Sequence, residues 1–573
     1  MKKTIPFIHA LLYACIACVN SASLAAATGE AREPNFLVIV TDDLAYADLG
    51  AFGGEIDTPN LDRLASSGVR LTNFQVSPTC SPTRSMILTG NDHHQAGIGN
   101  MAELLTPEQR GKPGYEGHLN ERVATIAERL QDIGYHTLLS GKWHLGVKPG
   151  QWPADRGFNR SFALLEGGDN HFAARTAWHR GSTYVEDREV VSLPDNFYSS
   201  DYFTDNILTL LDEARGLDKP FFAYLAYTAP HWPLQAPDEL IAKYSDRYAA
   251  GYEALRAQRF ERQKALGLIA DISMGPLYGI KPWAELSAAE QAVEARKMAV
   301  HAAMIDSVDT NIGRVVDQLA AAGELDNTVI IFLSDNGAAG SDYGRVGVFD
   351  KGFTRMVAEN FDNSIDNIGR ANSLTWSGPG WGQAGTSPFL LFKIFTSQGG
   401  IRSPLIATGP GLQKGVINAS LAHVTDIAAT ILDLAGAPPS GAGLGPAGRL
   451  PVEGISWKPV LSGQSDVIRG DDVAVGGELF GGRNLTKGDY KAVWLNDMAG
   501  NIDSQLPLGR WLLFNIVNDP GETRDLALLL PDKLRELVAE WDAYAQRVGV
   551  ILPEANKPVG AISSDRGADT VGQ

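Results

Sequence analysis

Cysteine is scarce in this sequence, and the scarcity limits the thiol chemistry open to the protein. The chain has three cysteines in 573 residues. Cys15 and Cys18 lie in an apolar N-terminal stretch, so only Cys80 lies in the body of the chain. If the N-terminal stretch is removed on export, no internal disulfide can form, and Cys80 is either inert and buried or reactive.

Long apolar runs are absent beyond the N-terminus, so we expect no membrane-spanning helix there. The N-terminus itself has two lysines, an apolar stretch at residues 5–19 and three alanines ending at Ala27. This order predicts a signal peptide, residues 1–27, used by the export machinery, and hence a periplasmic or secreted protein. An uncleaved anchor would need ~20 apolar residues, more than this run has. A cut before Cys15 or Cys18 would give a lipoprotein, but the preceding residues suit it poorly.

Basic residues are outnumbered, which bears on the partners of the protein. The 49 Lys and Arg residues face 67 Asp and Glu residues, giving a net charge of −18. Such an acidic surface repels the phosphate backbone, so we expect no nucleic-acid partner. An anionic substrate would need a local cationic site against this background.

Apolar runs and helical patterns alternate along the first two thirds of the chain. The runs at residues 35–40, 137–139, 221–225 and 329–333 are continuous, as in strands buried on both faces of a parallel sheet. We therefore predict an α/β fold with a large doubly wound, mostly parallel sheet flanked by helices. The predicted helices include one from Pro59 capped by Thr58, one at residues 121–133 and one at residues 288–319.

Composition divides the rest of the chain into further regions. Residues 340–400 are rich in Gly, Ser and Asn and predict a long, ordered loop region. A Gly- and Pro-rich break precedes residue 451. We predict a catalytic domain at residues 35–450, a smaller C-terminal α+β domain with an antiparallel sheet at residues 451–553, and a disordered tail at residues 554–573. The smaller domain has strand-like segments at residues 490–495 and 511–516 and a helical pattern at residues 531–548.

Three predicted strands end in residues that suit a metal or an anion. The residues are Asp42, Asp43, Lys142, His144, Asp335 and Asn336. Taken one at a time, such residues are more typical of turns, but ligands of open parallel sheets bind beyond the carboxyl ends of the strands. Three carboxylates and an amide oxygen favour Ca²⁺ or Mg²⁺ over Zn²⁺.

Cys80 begins the segment Cys80-Ser81-Pro82-Thr83-Arg84, which continues as Ser-Met-Ile-Leu-Thr-Gly. Pro82 suits a first helical turn that Ser81 could cap. Cys80 would then lie at a helix N-terminus, where the helix dipole favours a bound anion, with Arg84 turned back toward it. A buried cysteine before an ordinary helix is the alternative that this spacing leaves open.

The Cys80 segment closely resembles the modification motif of type I sulfatases, a family of the alkaline-phosphatase-like superfamily. Other segments agree, and the chain is similar above all to bacterial arylsulfatases. The segments are residues 35–43, 120–122, 141–146, 229–237, 334–337, 393–402 and 518–523. Gln398 departs from the glutamate of many relatives, at a position outside the family's metal and sulfate contacts.

The resemblance implies a reaction and a set of site residues. Cys80 is expected to be oxidised to 3-oxoalanine (formylglycine) by a formylglycine-generating modification enzyme. The hydrated aldehyde would attack the sulfur of a small sulfate ester, aryl esters being preferred, and the products would be a phenol and sulfate. The implied Ca²⁺ ligands are Asp42, Asp43, Asp335, Asn336 and residue 80. The implied catalytic residues are Cys80, Arg84, Lys142, His144, His231 and Lys393.

The resemblance also implies a role for each catalytic side chain. Lys142, Lys393 and His231 would hold sulfate oxygens by charge-assisted bonds. His231 or Lys393 would protonate the leaving oxygen, and His144 would take a proton from the remaining hydroxyl of residue 80. Arg84 would orient the nucleophile beside the metal.

Two other functions use the same residues. A phosphonate or phosphate diester hydrolase shares the nucleophile and metal, although His231 and Lys393 favour the sulfate monoester. A silent sulfate-binding protein would result if Cys80 were never oxidised, but the full set of ligands argues against it. The natural substrate, whether an aryl, alkyl or sugar sulfate, and the oligomeric state are left open.

Other polar and aromatic residues have structural interpretations. His93 and His94 are expected to cap a helix, and Asp426 to be a first-turn acid of the next helix. Trp143 and Trp232 flank catalytic candidates and are equally suited to packing and to forming the wall of a ring-binding pocket.

Overall fold

The structure is a computed structural model that describes residues 32–173, 182–270, 272–344, 351–496 and 506–554. The predicted signal peptide and all of the predicted tail after residue 554 lie outside these residues. Among the helices described, none combines the length and the apolar character needed to cross a bilayer.

The strands of the described residues form one large sheet and two small ones. They are β1 (Asn35–Thr41), β2 (Val69–Leu71), β3 (Phe74–Gln75), β4 (His136–Lys142), β5 (Arg160–Leu164), β6 (Tyr184–Glu186), β7 (Glu189–Val191), β8 (Phe221–Ala226), β9 (Thr328–Ser334), β10 (Arg402–Ser403), β11 (Leu405–Thr408), β12 (Val416–Asn418), β13 (Ala422–His423), β14 (Ala474–Leu479), β15 (Gly482–Lys487), β16 (Tyr490–Trp494) and β17 (Trp511–Asn515).

The large sheet has the strand order β12-β2-β11-β9-β1-β8-β4-β5-β6-β7. Five adjacent strands in the centre of this sheet run parallel to one another, in the order β9-β1-β8-β4-β5. Strand β11 is antiparallel to β9 on one side, and β6 is antiparallel to β5 on the other. The predicted mostly parallel sheet is confirmed, and all four predicted strands lie in its parallel centre.

The central strands are buried on both faces, which explains their continuous apolar sequences. In β1, Leu37 and Ile39 pack into one core cluster, whereas Phe36, Val38 and Val40 pack into the other. All seven residues of β1 and of β9 are buried. Helices therefore cover both faces of the sheet.

The helices of the described residues are α1 (Pro59–Ser66), α2 (Cys80–Thr89), α3 (Ile126–Gln131), α4 (Ser199–Arg215), α5 (Asp238–Lys243), α6 (Gly251–Ala265), α7 (Ala288–Ala321), α8 (Lys351–Asn360), α9 (Gly378–Gly385), α10 (Gln398–Ile401), α11 (Asp426–Leu434), α12 (Lys458–Leu461) and α13 (Pro531–Val548). The predictions of α1, α7 and α13 are confirmed, except that the side chain of Thr58 makes no capping hydrogen bond to α1. The helix predicted at residues 121–133 is shorter than expected. It begins after Thr125, which forms a capping box with Glu128 and so starts the helix late.

The predicted loop region at residues 340–400 contains helices α8, α9 and α10 and is only partly loop. Helix α9 has the sequence Gly-Pro-Gly-Trp-Gly-Gln-Ala-Gly, and its glycines and proline have low helix propensity. Close packing explains it. A Cβ atom at Gly380 would lie 2.6 Å from the Tyr252 ring, and one at Gly382 would lie 2.5 Å from the Cα atom of Gly340.

The C-terminal region has the predicted antiparallel sheet, in the order β14-β15-β16-β17. Helix α13 packs on it through Leu537, Trp541 and Tyr544. The segments predicted at residues 490–495 and 511–516 are β16 and β17. The domain boundary at residue 451 stays a prediction.

Asp426 does more than the predicted first-turn acid. Its two oxygens accept hydrogen bonds from the Arg469 guanidinium, the Trp457 indole and the backbone nitrogens of His423 and Ile455. Apart from the nearby His423, these partners lie 29–43 residues along the chain, so local sequence does not reveal them.

His93 and His94 do not simply cap a helix, contrary to our expectation. They are buried, and His94 lies between Asp92, at 2.9 Å from Nδ1, and Glu478 of β14, at 3.1 Å from Nε2. The Tyr544 hydroxyl donates to the other oxygen of Asp92. Although burial opposes the charge, these bonds raise the pKa of His94 to about 9. A buried imidazolium therefore ties the large sheet's region to the C-terminal sheet.

The His94 cluster predicts how stability depends on pH. The pKa of His94 rises from 6.5 to about 9 on folding, so protonated His94 adds to the free energy of unfolding. This contribution is about 3 kcal/mol. It is complete below pH 6.5 and is lost as the pH rises through about 9. The gap in urea midpoint between wild type and His94→Gln should shrink between pH 6 and pH 9.5. His118→Gln, at a partly exposed histidine, is the control, and a pH-independent gap for His94→Gln would contradict the assignment.

Candidate active site

The parallel register brings distant segments to one edge of the sheet. Thr41 at the end of β1 is paired with Ser334 at the end of β9, so Asp42 and Asp335 follow side by side. Strand β4 runs three residues beyond its predicted end, and Lys142 is therefore its last residue. The predicted meeting of these residues at the carboxyl edge is observed.

Unusual backbone conformations shape this edge. Asp43 and His144 have positive φ angles of 66° and 57°, which non-glycine residues rarely adopt. Gly141 has a φ of 117°, and a Cβ atom there would lie 1.9 Å from the Ala226 carbonyl oxygen. Only glycine fits between the strands before Lys142.

Cys80 is the first residue of α2 and is buried beside charged groups. Its Sγ lies 3.4 Å from Asp42 Oδ1 and 3.3 Å from Lys393 Nζ. The N-cap is Thr79, so the predicted cap Ser81 lies inside the first turn instead. Burial, reinforced by Asp42, raises the pKa of the Cys80 thiol to about 12. An unmodified Cys80 is thus a neutral thiol and a weak nucleophile near neutral pH.

Three buried carboxylates at this edge are each paired with a buried cation. The pairs are Arg84–Asp335 at 2.7 Å, Lys142–Asp42 at 2.5 Å and Lys393–Asp43 at 2.6 Å. Burial opposes ionisation of Asp42, yet Lys142 and the other nearby cations hold its pKa well below the usual range. Burial and the charge of Asp42 raise the pKa of Asp335 to about 6. The carboxylates therefore repel one another in the absence of further positive charge.

Two oxygens at the site lack hydrogen-bond partners among the described residues. They are Asp43 Oδ2 and Asn336 Oδ1, and both are buried. Ligand atoms of Asp42, Asp43, Cys80 and His231 also lie within 4.8 Å of one another. Orphaned oxygens beside crowded carboxylates fit a divalent cation with oxygen ligands. The residues present thus suit the implied Ca²⁺.

The two histidines occupy different surroundings. His231 Nδ1 donates to the Trp232 carbonyl at 2.5 Å, and its Nε2 lies 3.7 Å from Asp43 Oδ2. Burial lowers the pKa of His231 to about 4, so the ring is neutral at pH 7. His144 instead lies 3.1 Å from Glu103 through Nε2. Glu103 was not predicted from the sequence, because its segment, Met-Ala-Glu-Leu-Leu at residues 101–105, carries no motif.

The two tryptophans differ as well. Trp143 packs in the core against Phe158, so it is a packing residue. Trp232 stacks beside His231 at 5.3 Å and contacts the Tyr343 ring at 4.8 Å. It belongs to an aromatic cluster at the site. The cluster comprises Trp232, Tyr343, Phe353 and Trp376.

The C-terminal sheet supports the segment that carries Lys393. Lys491 of β16 donates to the Thr396 carbonyl at 2.8 Å and to Glu522 at 2.7 Å. Glu522 also accepts from the backbone nitrogen of Gln398 at 2.7 Å. This contact uses the backbone of Gln398 and does not depend on the side chain at that position, whose Oε1 accepts from Arg402 at 3.5 Å.

The known proteins that this chain is similar to are sulfatases. A family model described as Sulfatase matches residues 34–437. An uncharacterised sulfatase of Schizosaccharomyces pombe is 44% identical over 538 residues, which cover 91% of this chain and 95% of that protein. An arylsulfatase of Klebsiella aerogenes is 42% identical over 418 residues, which cover 71% of this chain and 88% of that protein.

Solved structures share the fold. The crystal structure of Ps i-CgsB has a TM-score of 0.63 at 23% identity, and the match covers 90% of this chain and 93% of that chain. The PsFucS1 sulfatase from Pseudoalteromonas sp. has a TM-score of 0.59 at 20% identity, with 90% and 91% covered. At these identities the likeness shows a common architecture.

The orphaned oxygens and paired carboxylates predict selective loss of metal binding. Asp335→Ala should weaken Ca²⁺ binding by about 10-fold or more, because it removes a charged oxygen ligand. Calorimetric titration of chelator-treated protein measures the effect. Asp317→Ala, at an exposed carboxylate on α7, is the control. If Asp335→Ala bound Ca²⁺ as tightly as wild type, the ligand set would be wrong. The identity of the metal is tested separately, since metal–oxygen distances of ~2.0–2.1 Å would indicate Mg²⁺.

Proposed function

This chain belongs to the sulfatase family, and on that premise we propose that it hydrolyses small aryl sulfate monoesters to a phenol and sulfate. Membership establishes a sulfatase, a hydrolase of sulfate esters. The aryl preference, the formylglycine at residue 80, the Ca²⁺ and the residue roles are the proposal.

One observation carries the proposal: the side chain of residue 80 lies in contact with a carboxylate and a lysine at the start of α2. Cys80 Sγ contacts Asp42 and Lys393, and it shares a cluster of ligand atoms with Asp43 and His231. A nucleophile made at this position would adjoin both the metal ligands and the cations that bind sulfate.

The implied groups supply chemistry that the unmodified chain lacks. Bound Ca²⁺, held by Asp42, Asp43, Asp335 and Asn336, would polarise the sulfate and lower the pKa of the attacking hydroxyl. The hydrated formylglycine would supply two hydroxyls, one to attack sulfur and one whose deprotonation releases sulfate. The neutral, buried thiol of Cys80 supports the need for this modification.

The cationic side chains are placed to receive an anion. Lys142 and Lys393 are buried and each already contacts a carboxylate that would bind the metal. An ammonium group has three donors, so each lysine would keep donors for sulfate oxygens beside its carboxylate. Arg84 remains hydrogen-bonded to Asp335 through Nε, with Nη2 in an ion pair with the same carboxylate, and orients the start of α2.

Protonation of the leaving oxygen falls to His231 and Lys393. The ring of His231 is neutral at pH 7, with its hydrogen on Nδ1 directed to the Trp232 carbonyl. His231 therefore needs a further proton at Nε2, which the entering anion favours, whereas nearby carboxylates keep the pKa of Lys393 well above its usual value. The two residues share the acid role in this proposal.

The aromatic cluster supports the preference for aryl esters. Trp232 stacks beside His231, the proposed acid for the leaving group, and Tyr343 contacts Trp232. Burial raises the pKa of Tyr343 to about 12, and the charges of Lys393 and Asp43 also act on its hydroxyl. Flat aromatic rings pack well against such a wall. The arylsulfatase relative from Klebsiella aerogenes agrees with this preference.

Cys80→Ser should abolish most turnover of nitrophenyl sulfate, by about 10³-fold or more, because the nucleophile cannot form. The protein should still fold, as measured by circular dichroism. In the wild type, intact mass should show a loss of about 18 Da at residue 80, the change from cysteine to formylglycine.

The control is wild-type chain produced without the modification enzyme, which should keep the unmodified mass and be equally inactive. Turnover of an aryl phosphate diester tests the alternative chemistry and should be slower than that of the aryl sulfate. Wild-type activity in a protein whose residue 80 is confirmed as serine would refute the formylglycine mechanism.

His231→Ala should slow alkyl sulfates by about 10²-fold or more but nitrophenyl sulfate by about 10-fold or less, because a nitrophenoxide needs little protonation. Values of kcat/KM for both esters measure this difference. His136→Ala, at the opposite end of β4, is the control. Equal losses of kcat/KM for the two esters would show that His231 does not protonate the leaving group.

A further inference from the structure

The two ring nitrogens of His144 have different partners. Nε2 lies 3.1 Å from Glu103 Oε1, whereas Nδ1 is buried and has no hydrogen-bond partner among the described residues. An ionised carboxylate only accepts hydrogen bonds, so the hydrogen of the neutral ring belongs on Nε2. Nδ1 then carries the lone pair.

The ring of His144 is held in place by its backbone and by a glycine. The residue has a φ of 57°, and its backbone nitrogen donates to the Leu165 carbonyl at 3.2 Å. A Cβ atom at Gly167 would lie 2.6 Å from Cε1 and 2.8 Å from Nε2 of the ring. The ring thus lies flat against a position that only glycine fits, and Glu103 decides which nitrogen carries the hydrogen.

Glu103 keeps its negative charge and reaches solvent. Burial opposes its ionisation, but the positive charge that His144 carries when protonated, together with the hydrogen bond between the two side chains, lowers the pKa of Glu103 to about 2. Its side chain is 41% exposed, compared with 6% for that of His144. The pair therefore connects the buried site with solvent.

We propose that Glu103 is a positioning residue for His144: it fixes the hydrogen on Nε2 and leaves Nδ1 as the base that regenerates residue 80. This inference rests on the proposed function. In that step the remaining hydroxyl of residue 80 gives its proton to Nδ1, and its electrons form the C=O bond. The bond between that carbon and the sulfate oxygen breaks, and sulfate leaves with the electron pair. Glu103 stabilises the resulting imidazolium.

Nuclear magnetic resonance of histidine labelled with ¹⁵N in its ring tests the positioning without any turnover. The His144 signal, identified by its loss in His144→Gln, should show a hydrogen on Nε2 and none on Nδ1. Glu103→Gln should keep this tautomer, since the amide oxygen still accepts, whereas Glu103→Ala should give a mixture. Glu121→Gln, at an exposed carboxylate, should change nothing. An unchanged His144 signal in Glu103→Ala would overturn the inference.

Kinetics with nitrophenyl sulfate give the second readout. Glu103→Ala should lower kcat and KM together by about 10- to 100-fold, leave kcat/KM nearly unchanged and produce a burst of phenol, because only regeneration is slowed. Glu103→Gln should restore kcat to within about 5-fold of wild type, since the ring stays oriented. A merely structural role would instead lower kcat/KM without a burst.

His144→Ala separates failure of this inference from failure of the proposed function. It should itself show a burst followed by slow turnover. If His144→Ala gives a burst of phenol and Glu103→Ala does not, Glu103 has no role in regeneration and the proposed function stands. If His144→Ala shows neither a burst nor sulfate retained on the protein, the regeneration role of His144 fails, and the inference fails with it.

Discussion

Buried charges at the carboxyl edge of the large sheet must be compensated, and this requirement governs how the surrounding segments pack. Three carboxylates meet there, and each is paired with a buried cation. Removing one partner of such a pair leaves an uncompensated buried charge, which costs about 3–5 kcal/mol. The parallel register of β1 and β9 places the carboxylates, and Arg84 and Lys393 must arrive from far along the chain.

The same constraint explains why the C-terminal sheet matters for a site to which it contributes no ligand in our assignment. Lys491 and Glu522 hold the segment after Lys393 by bonds to backbone groups. The imidazolium of His94 makes a second connection, through Glu478 of β14. Folding of the smaller sheet is therefore coupled to the position of Lys393, which pairs with the buried carboxylate of Asp43.

The two site histidines have different hydrogen-bond partners, so each ring carries its hydrogen on a different nitrogen. Hydrogen on Nδ1 of His231 faces a carbonyl, so Nε2 faces the carboxylates. His144 has the opposite arrangement, because Glu103 receives the hydrogen on Nε2 and Nδ1 faces inward without a partner among the described residues. In the proposed mechanism, the leaving group and the regenerating hydroxyl would therefore meet different nitrogens.

Apolar periodicity and strand ends are local properties, so the parallel sheet, the helix at Pro531–Val548 and the edge at which the polar residues meet could all be predicted from the sequence. Its motif also indicated residue 80 before any geometry was known. Only the tertiary structure decided that Asp426 binds Arg469 and that Glu103 binds His144. Pairing between residues distant in sequence leaves no local pattern, since each partner alone is compatible with an exposed loop or a helix turn.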